Sequence, residues 1–360
     1  MIRCLEGFAP LDLQEDYDNA GLLTGSAEEE CLGIITTLDI TENVVNEAVQ
    51  KKCNLIVSHH PVIFKGLKKI NGKNYVERCV IKAIKNNIAL YAIHTNLDNI
   101  AKGVNQMISE KLNLQNTRVL FPKEGKLKKL VTFCPRKSAD VVKNALFNQG
   151  AGTIGKYSEC SFSLDGAGTF KAGAGAEPFV GRIGERHEEN ETRIEVIFPG
   201  YLQNQIVQSL RAVHPYEEVA YDVYALSNLH DDIGSGSIGD LPEPVSEPDL
   251  LSRLKAAFGL TVVRHSALLQ KTIARVAVCG GAGSFLLSAA KAGGAGVFIT
   301  SDVKYHEFFD ADNTILLADI GHYESEQFTI DLLAGILQRK FPNFAVLKTE
   351  MKTNPVNYFV

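Results

Sequence analysis

Short runs of β-branched and apolar residues alternate with helical segments in both the first and the last third of this chain. Thr41 can cap one amphipathic helix, a second crosses residues 80–84, and a third is predicted over 328–337. Alternation of strands and helices predicts an α/β fold, with helices on the faces of its sheet. The predicted strands are 32–38, 54–57, 89–93, 276–279, 296–299 and 314–318.

The middle of the chain has a different order of elements. Strands are predicted at 128–133, 192–198 and 219–225, with helices at 139–149 and 203–213 and a Gly- and Ser-rich stretch over 150–184. This pattern matches the β-α-β-β-α-β order of a ferredoxin-like α+β domain. A Gly- and Pro-rich linker is predicted next to it, over 234–248.

The length of 360 residues exceeds what one hydrophobic core usually holds, so we expect two domains. The predicted arrangement is a discontinuous α/β domain, 1–126 and 228–360, interrupted by an inserted domain, 127–227.

Composition excludes several classes of protein. The net charge is −5, which gives no basis for sequence-independent binding to nucleic acid. No stretch reaches the roughly 18 apolar residues of a membrane span, and the N-terminus lacks a signal-peptide pattern. The seven cysteines are scattered and form no C-x-x-C pair. We therefore expect free cysteines and a reducing cytoplasm.

Histidines and carboxylates recur directly after the predicted strands. Open α/β sheets place their ligand-binding groups at this position, past the carboxyl ends of the strands. The residues concerned are His59, His60, His94, Asp98, Asp302, His306, His322, Glu324 and Glu326.

The types and spacing of these residues favour a two-metal site. His59 and His60 are adjacent, so in an extended turn they point in opposite directions and can serve different ions. His322 and Glu326 are four residues apart and share a helix face if a helix begins near Gly321. A carboxylate, either Glu326 or Asp98, can bridge two ions. Mixed imidazole and carboxylate ligands suit zinc, iron(II) or manganese, and such a pair of ions can activate a water for hydrolysis. The alternative is that these histidines only make structural hydrogen bonds.

Three other motifs allow two interpretations each. Residues 280–284, rich in glycine, can cradle a phosphate or form a tight structural turn. Residues 16–22 can line a site or form a turn, and residues 214–222 can form an interface, a gate or a capping turn.

The strand-end motifs resemble those of the NIF-three-like family, whose members are named GTP cyclohydrolase I type 2 homologues. The resemblance rests on Ser58-His59-His60-Pro61, on the His94–Asp98 segment, on the segment from Gly321 to Glu326, and on Asp18-Asn19-Ala20-Gly21-Leu22. It spans roughly 1–126 and 228–360, and differs by Tyr17 where another aromatic is common.

This resemblance implies two divalent metal ions per chain, with Glu326 as the bridge. The implied ligands are His59, His60, Asp98, His322 and Glu326. It also implies a PII- or CutA-like inserted domain and a homohexameric ring.

The leading functional hypothesis is a dinuclear metal-dependent hydrolase of a small molecule, with nucleotides among the substrate classes. Glu324, Asp302 and His306 are the candidate catalytic residues for proton transfer, and His94 is a candidate for orienting a ligand. The alternative hypothesis is a non-catalytic metal-binding or regulatory ring protein.

Overall fold

The computed structural model describes residues 1–359, which divide into two compact units. The larger unit comprises Met1–Pro122 and the chain from Asp232 onward, and the smaller unit comprises Lys123–Asp231. Among the described residues, none of the helices combines the length and apolar character that crossing a membrane requires. All seven cysteines are unpaired.

The chain contains fifteen strands and eleven α-helices within the described residues, together with short 3₁₀ turns. The strands are β1 (Gly21–Thr24), β2 (Ile34–Thr37), β3 (Leu55–Ser58), β4 (Ala89–Ala92), β5 (Gln115–Pro122), β6 (Leu127–Pro135), β7 (Phe162–Lys171), β8 (Arg186–Pro199), β9 (Tyr221–Ala225), β10 (Gly234–Ser246), β11 (Arg264–His265), β12 (Thr272–Ala282), β13 (Val297–Ser301), β14 (Leu316–Asp319) and β15 (Val346–Lys348). The helices are α1 (Ile2–Phe8), α2 (Glu42–Gln50), α3 (Tyr75–Lys85), α4 (Thr95–Asp98), α5 (Val104–Lys111), α6 (Ala139–Asn148), α7 (Gln203–Val213), α8 (Glu247–Phe258), α9 (Leu287–Ala292), α10 (His322–Glu326) and α11 (Thr329–Lys340).

Two sheets form the framework of the larger unit. The first has the order β1-β4-β3-β2-β15, and all its neighbours are parallel except β1 and β4. The second has the order β11-β14-β13-β12-β10-β5, with β12, β13 and β14 parallel. The prediction of an α/β fold is therefore confirmed, and every strand predicted for this unit corresponds to an observed one. Thr41 caps α2 as predicted, because its side chain accepts a hydrogen bond from the backbone N–H of Val44.

Three apolar clusters hold the larger unit together. The largest joins one face of each sheet to α1, α5, α8 and α11. The second covers the other face of the first sheet with α2 and α3, and the third covers the other face of the second sheet with α9. Because helices flank the sheets, their central strands are buried on both faces.

The predicted linker over 234–248 is wrong. Residues 234–246 form β10, which lies in the interior of the second sheet between β5 and β12. Its glycines permit close packing: a Cβ added to Gly236 would lie 3.0 Å from the Val278 carbonyl oxygen and 3.0 Å from the Leu286 side chain. Pro242 and Pro244 fall where the register with β12 shifts, between Asp240 and Val245, so these prolines do not interrupt regular pairing.

The smaller unit is a four-stranded antiparallel sheet with the order β7-β8-β6-β9. Helices α6 and α7 cover one face, and the core between them includes Leu130, Ile194, Phe198, Leu146 and Leu210. Strand β7 lies inside the Gly- and Ser-rich stretch in which no strand was located from the sequence. The chain order is β-α-β-β-α-β.

Candidate metal centre

Imidazole and carboxylate groups from both sheets of the larger unit meet at the carboxyl ends of the parallel strands. His59 and His60 follow β3, and Asp98 ends α4, the short helix after β4. His322 and Glu326 begin and end α10, which follows β14. The structure thus brings together all five of the predicted metal ligands.

Glu326 is the centre of this cluster. Its Oε2 atom lies 2.9 Å from His60 Nε2 and 3.1 Å from His322 Nε2, and the two imidazole nitrogens are 3.3 Å apart. The 3.1 Å contact is the i, i+4 pair predicted for a helix that begins near Gly321. These three residues offer donor atoms that lie within 4.8 Å of one another, a spacing compatible with a single ion.

A second group of donors shares Glu326 with the first. It comprises His59, Asp98 and Glu326, with His59 Nε2 at 3.6 Å from Asp98 Oδ1 and 3.8 Å from Glu326 Oε2. Both His59 Nε2 and Asp98 Oδ1 are buried and have no hydrogen-bond partner. A buried polar atom without a partner costs about 1–3 kcal/mol, so these two atoms fit a bound cation.

Each histidine of the cluster is held through Nδ1. His59 Nδ1 lies 2.9 Å from the carbonyl oxygen of Ile93, an acceptor only, so this nitrogen donates to it and Nε2 faces Asp98 and Glu326. His60, His94 and His322 have the carboxylates of Asp39 (2.7 Å), Asp18 (2.7 Å) and Asp302 (2.6 Å), respectively, at Nδ1. Metal-binding histidines commonly donate this way, since the second partner fixes the ring and its tautomer.

The concentration of charge shifts several pKa values. Burial opposes the positive charge of His60, yet its hydrogen bonds to Asp39 and Glu326 raise its pKa to about 9. Burial likewise opposes the charge of His322, but Glu326 and Asp302 raise its pKa to about 11.

The pKa values of the two carboxylates, Asp98 and Glu326, are shifted in opposite directions. Burial and the neighbouring charge of Glu326 raise the pKa of Asp98 to about 7. Burial disfavours ionised Glu326 as well, but the charge of His322 and hydrogen bonds from imidazoles hold its pKa well below the usual range. Glu326 is therefore ionised at neutral pH, as a metal ligand must be.

The glycine-rich end of β12 makes room for Glu326. A Cβ added to Gly281 would lie 2.5 Å from Glu326 Oε1, and Gly281 also has φ +63°. Its N–H donates to Ser325 Oγ, while the N–H groups of Gly280 and Gly283 donate to Asn105 and Thr300. Because these three donors are used internally, they do not form a phosphate cradle, and Gly280 and Gly281 lie within β12.

A cavity of about 420 Å³ opens onto the cluster. It is lined by His60, Asp98, His322 and Glu326, by His94, and by Tyr17 of the 16–22 segment. That segment therefore lines the site. Its Asp18 accepts hydrogen bonds from His94 Nδ1 and from the Thr95 N–H (3.0 Å). These bonds outweigh the effect of burial and lower the pKa of Asp18 to about 2.

The three predicted proton-transfer residues occupy different positions. Asp302 holds His322, as described above. Glu324 Oε1 accepts a hydrogen bond from Asn354 Nδ2 (2.9 Å). His306 is exposed on a 3₁₀ turn, where its ring packs against Tyr305 and Phe309. Neither Glu324 nor His306 is among the residues that line the cavity.

Asp39 is a site residue that sequence reasoning missed. It lies two residues past the end of β2 and holds His60 through Oδ1, while its Oδ2 accepts a hydrogen bond from Thr353 Oγ1 (2.7 Å). The signal was its position, because it follows a predicted strand exactly as the recognised ligands do. Thr353 carries no such signal, since it lies in the irregular C-terminal segment.

Residues 1–355 match the sequence model of one protein family, Duf34/NIF3 (NGG1p interacting factor 3). This chain belongs to the DUF34/NIF3 family. It is 36% identical over 364 residues to the Bacillus subtilis protein named GTP cyclohydrolase 1 type 2 homolog, covering 99% of this chain and 97% of the relative.

Solved structures of two relatives have the same fold. A Bacillus cereus protein related to NIF3 superposes with a TM-score of 0.86 at 36% identity, covering 99% of this chain and 98% of that one. A Staphylococcus aureus protein superposes with a TM-score of 0.77 at 28% identity, covering 99% and 97%. The predicted family is thereby confirmed.

Proposed function

We propose that this protein is a dinuclear metal-dependent hydrolase of a small molecule. The observation that carries the proposal is the position of Glu326, which belongs to two of the three groups of donor atoms; the third group is His59, His60 and His94. One ion would be held by His60, His322 and Glu326, and the other by His59, Asp98 and Glu326. This donor set of imidazoles and carboxylates suits zinc, iron(II) or manganese.

Two divalent ions, when bound, supply Lewis acidity and lower the pKa of a coordinated water. The protein supplies the orientation of the ligands. Asp39 and Asp302 hold the rings of His60 and His322, so their Nε2 atoms point towards Glu326. Asp302 thus acts through His322 as a positioning residue.

His94 is the group that we propose for proton transfer at the cavity. It lines the cavity, and its ring lies 5.3 Å from that of His59 and 5.4 Å from that of His60. Because Asp18 accepts the Nδ1 proton, Nε2 remains to take or give a proton. Glu324 and His306 stay predictions as proton carriers, and both would need to act from outside the lining of the cavity.

The volume of the cavity limits the size of the substrate. About 420 Å³ lies within the range of small-molecule sites, which favours a small molecule over a polymer. The name of the Bacillus subtilis relative supports including nucleotides among the candidates.

The proposal is tested by turnover of the metal-loaded protein on nucleotides, cyclic amides and phosphoesters. We expect activity that is lost in Glu326→Ala together with the metal, and lost in His94→Gln with the metal retained. His265→Gln is the matched control, because the side chain of His265 is exposed and its Nδ1 atom contacts the carbonyl oxygen of the adjacent Ser266 (2.7 Å). A metal-loaded protein that turns over none of these substrates would instead support the non-catalytic metal-binding alternative.

Two further parts of the proposal concern assembly. We propose a homohexameric ring, supported by the family resemblance and by the exposed aromatic side chains of Tyr305 and Phe309. Light scattering should then give about six times the chain mass of 39.3 kDa. The β-α-β-β-α-β order of the smaller unit supports the proposal of a PII- or CutA-like insert.

A further inference from the structure

Three exposed aromatic side chains, Tyr17, Phe64 and Phe285, line the cavity beside the metal ligands, and the first two lie close together. Tyr17 is 66% exposed and Phe64 is 45% exposed, although both rings are large and largely apolar. Their centroids lie 6.3 Å apart. Leaving apolar surface in water is unfavourable, and exposed apolar surface concentrated at a cavity marks a place where a ligand binds.

The two rings continue into the cluster of histidines. Phe64 packs edge-on against His94, with centroids 6.2 Å apart, and His94 in turn contacts His59 and His60. Tyr17, Phe64 and His94 therefore form one aromatic wall, which runs from solvent to the proposed metal ligands.

Hydrogen bonds fix this aromatic wall in place. Asn19 Nδ2 donates to the carbonyl oxygen of Ile63 (2.6 Å), which ties the loop of Tyr17 to the loop of Phe64. Asp18, between Tyr17 and Asn19, accepts from His94 and Thr95. A wall held in its binding conformation costs little entropy when a ligand binds, which is the arrangement expected of a recognition surface.

We propose that Tyr17 and Phe64 bind the planar ring of a small-molecule ligand whose polar part faces the imidazole and carboxylate groups. The proposal rests on the proposed hydrolase function and names the class of its substrate. Aromatic side chains stack on flat π-systems, and much of the remaining lining of the cavity is polar or charged, including Asp98 and Glu326. Tyr17 and Phe64 are thus specificity-determining residues for compounds that carry a planar ring.

The composition of the chain allows a direct test. The protein contains no tryptophan, so Tyr17→Trp places a single tryptophan in the wall. Its fluorescence is titrated with guanosine, uridine and nicotinamide mononucleotides, and with ribose 5-phosphate as the matched probe that lacks a ring. Calorimetry on the wild type repeats the comparison without the reporter.

We expect at least one ring-bearing probe to quench the tryptophan and to bind about tenfold more tightly than ribose 5-phosphate, in line with the usual effect of stacking on an aromatic side chain. Phe64→Leu should remove this preference. Tyr75→Leu should not, because Tyr75 is also exposed (58%, between Phe64 and Tyr17) but lies on α3 and does not line the cavity.

Equal binding of ring-bearing and ring-free probes, or a preference unchanged in Phe64→Leu, would overturn the proposal. So would a change of oligomer mass in Phe64→Leu, which would make the wall a subunit contact. Metal content is measured on the same samples. A protein that binds metal but shows no preference for ring-bearing probes refutes only the proposed role of the aromatic wall. A protein that binds no metal refutes the hydrolase proposal, and the comparison of probes remains valid.

Discussion

Metal binding at this site should release protons at neutral pH. His60 and His322, with pKa values of about 9 and 11 in the metal-free protein, are both protonated at pH 7. Asp98, with a pKa of about 7, is half protonated. All three must lose their protons to coordinate a cation, so loading the site should release between two and three protons per chain.

The free-energy cost of removing the proton before the metal binds can be calculated for His60. A group with a pKa of about 9 is two pH units from deprotonation at pH 7, which costs about 2.7 kcal/mol at 1.36 kcal/mol per unit and weakens metal binding about 100-fold. Because both histidine pKa values are raised, the penalty is largest at low pH. The apparent affinity should therefore rise with pH, about 100-fold or more per unit between pH 6 and 8.

The assay is calorimetric titration of the metal-free protein with zinc at pH 7, in buffers of different ionisation enthalpy. The dependence of the observed heat on the buffer gives the number of protons released. Asp39→Asn is the matched variant: it removes the carboxylate that raises the pKa of His60, so fewer protons should be released. Zinc binding without proton release, or with an affinity independent of pH, would refute this account of the electrostatics.

Three other perturbations have definite expected outcomes. Gly281→Ala should weaken metal binding at least tenfold, because the added Cβ would meet Glu326 Oε1 and because the residue has φ +63°. Equilibrium dialysis measures the affinity, and an unchanged value would contradict the packing argument. Thr353→Val should weaken metal binding about tenfold, since the hydrogen bond from Thr353 to ionised Asp39 is worth about 1.5–3 kcal/mol. Wild-type affinity in this variant would show that the C-terminal segment does not support the site. Metal at 100 times its Kd should stabilise the folded state by about 2.7 kcal/mol and so raise the midpoint of thermal unfolding by roughly 5–10 °C. Scanning calorimetry measures this midpoint, and the absence of a shift would exclude specific binding to the folded state.

The strands and ligands of the larger unit could be predicted from the sequence because both follow local rules. Buried parallel strands are short apolar runs, and their carboxyl ends meet at one edge, so the residues after 54–57 and 314–318 could be expected to converge. The structure brings His59 and Glu326 together although they are 267 residues apart. The strand-end rule and the spacing of His322 and Glu326 indicated a site at this edge, and the family resemblance implied the set of five ligands.

Elements whose composition contradicts their local structure could not be predicted. Strand β10 contains three glycines and two prolines, which are typical of a linker, and it forms because β5 and β12 supply partners from distant parts of the chain. Strand β7 was hidden by its glycines in the same way.

Contacts in which a single residue supports the site could not be predicted from the sequence either. The hydrogen bond from Thr353 to Asp39 joins two segments that are 314 residues apart, and neither residue belongs to a periodic pattern. The role of Gly281 was equally hidden, because the close approach of Glu326 is a tertiary contact. Thr353 and Gly281 can be recognised only when the fold is known, whereas the position of Asp39 just after β2 was a signal in the sequence.

The most direct test of the central claim is a crystal structure of the zinc-loaded protein with anomalous diffraction data. Our account predicts two anomalous peaks per chain, about 4 Å or less apart, with Glu326 between them and with one peak near His60 and His322 and the other near His59 and Asp98. A single peak at full occupancy, or no peak in this cluster after loading at neutral or higher pH, would contradict it.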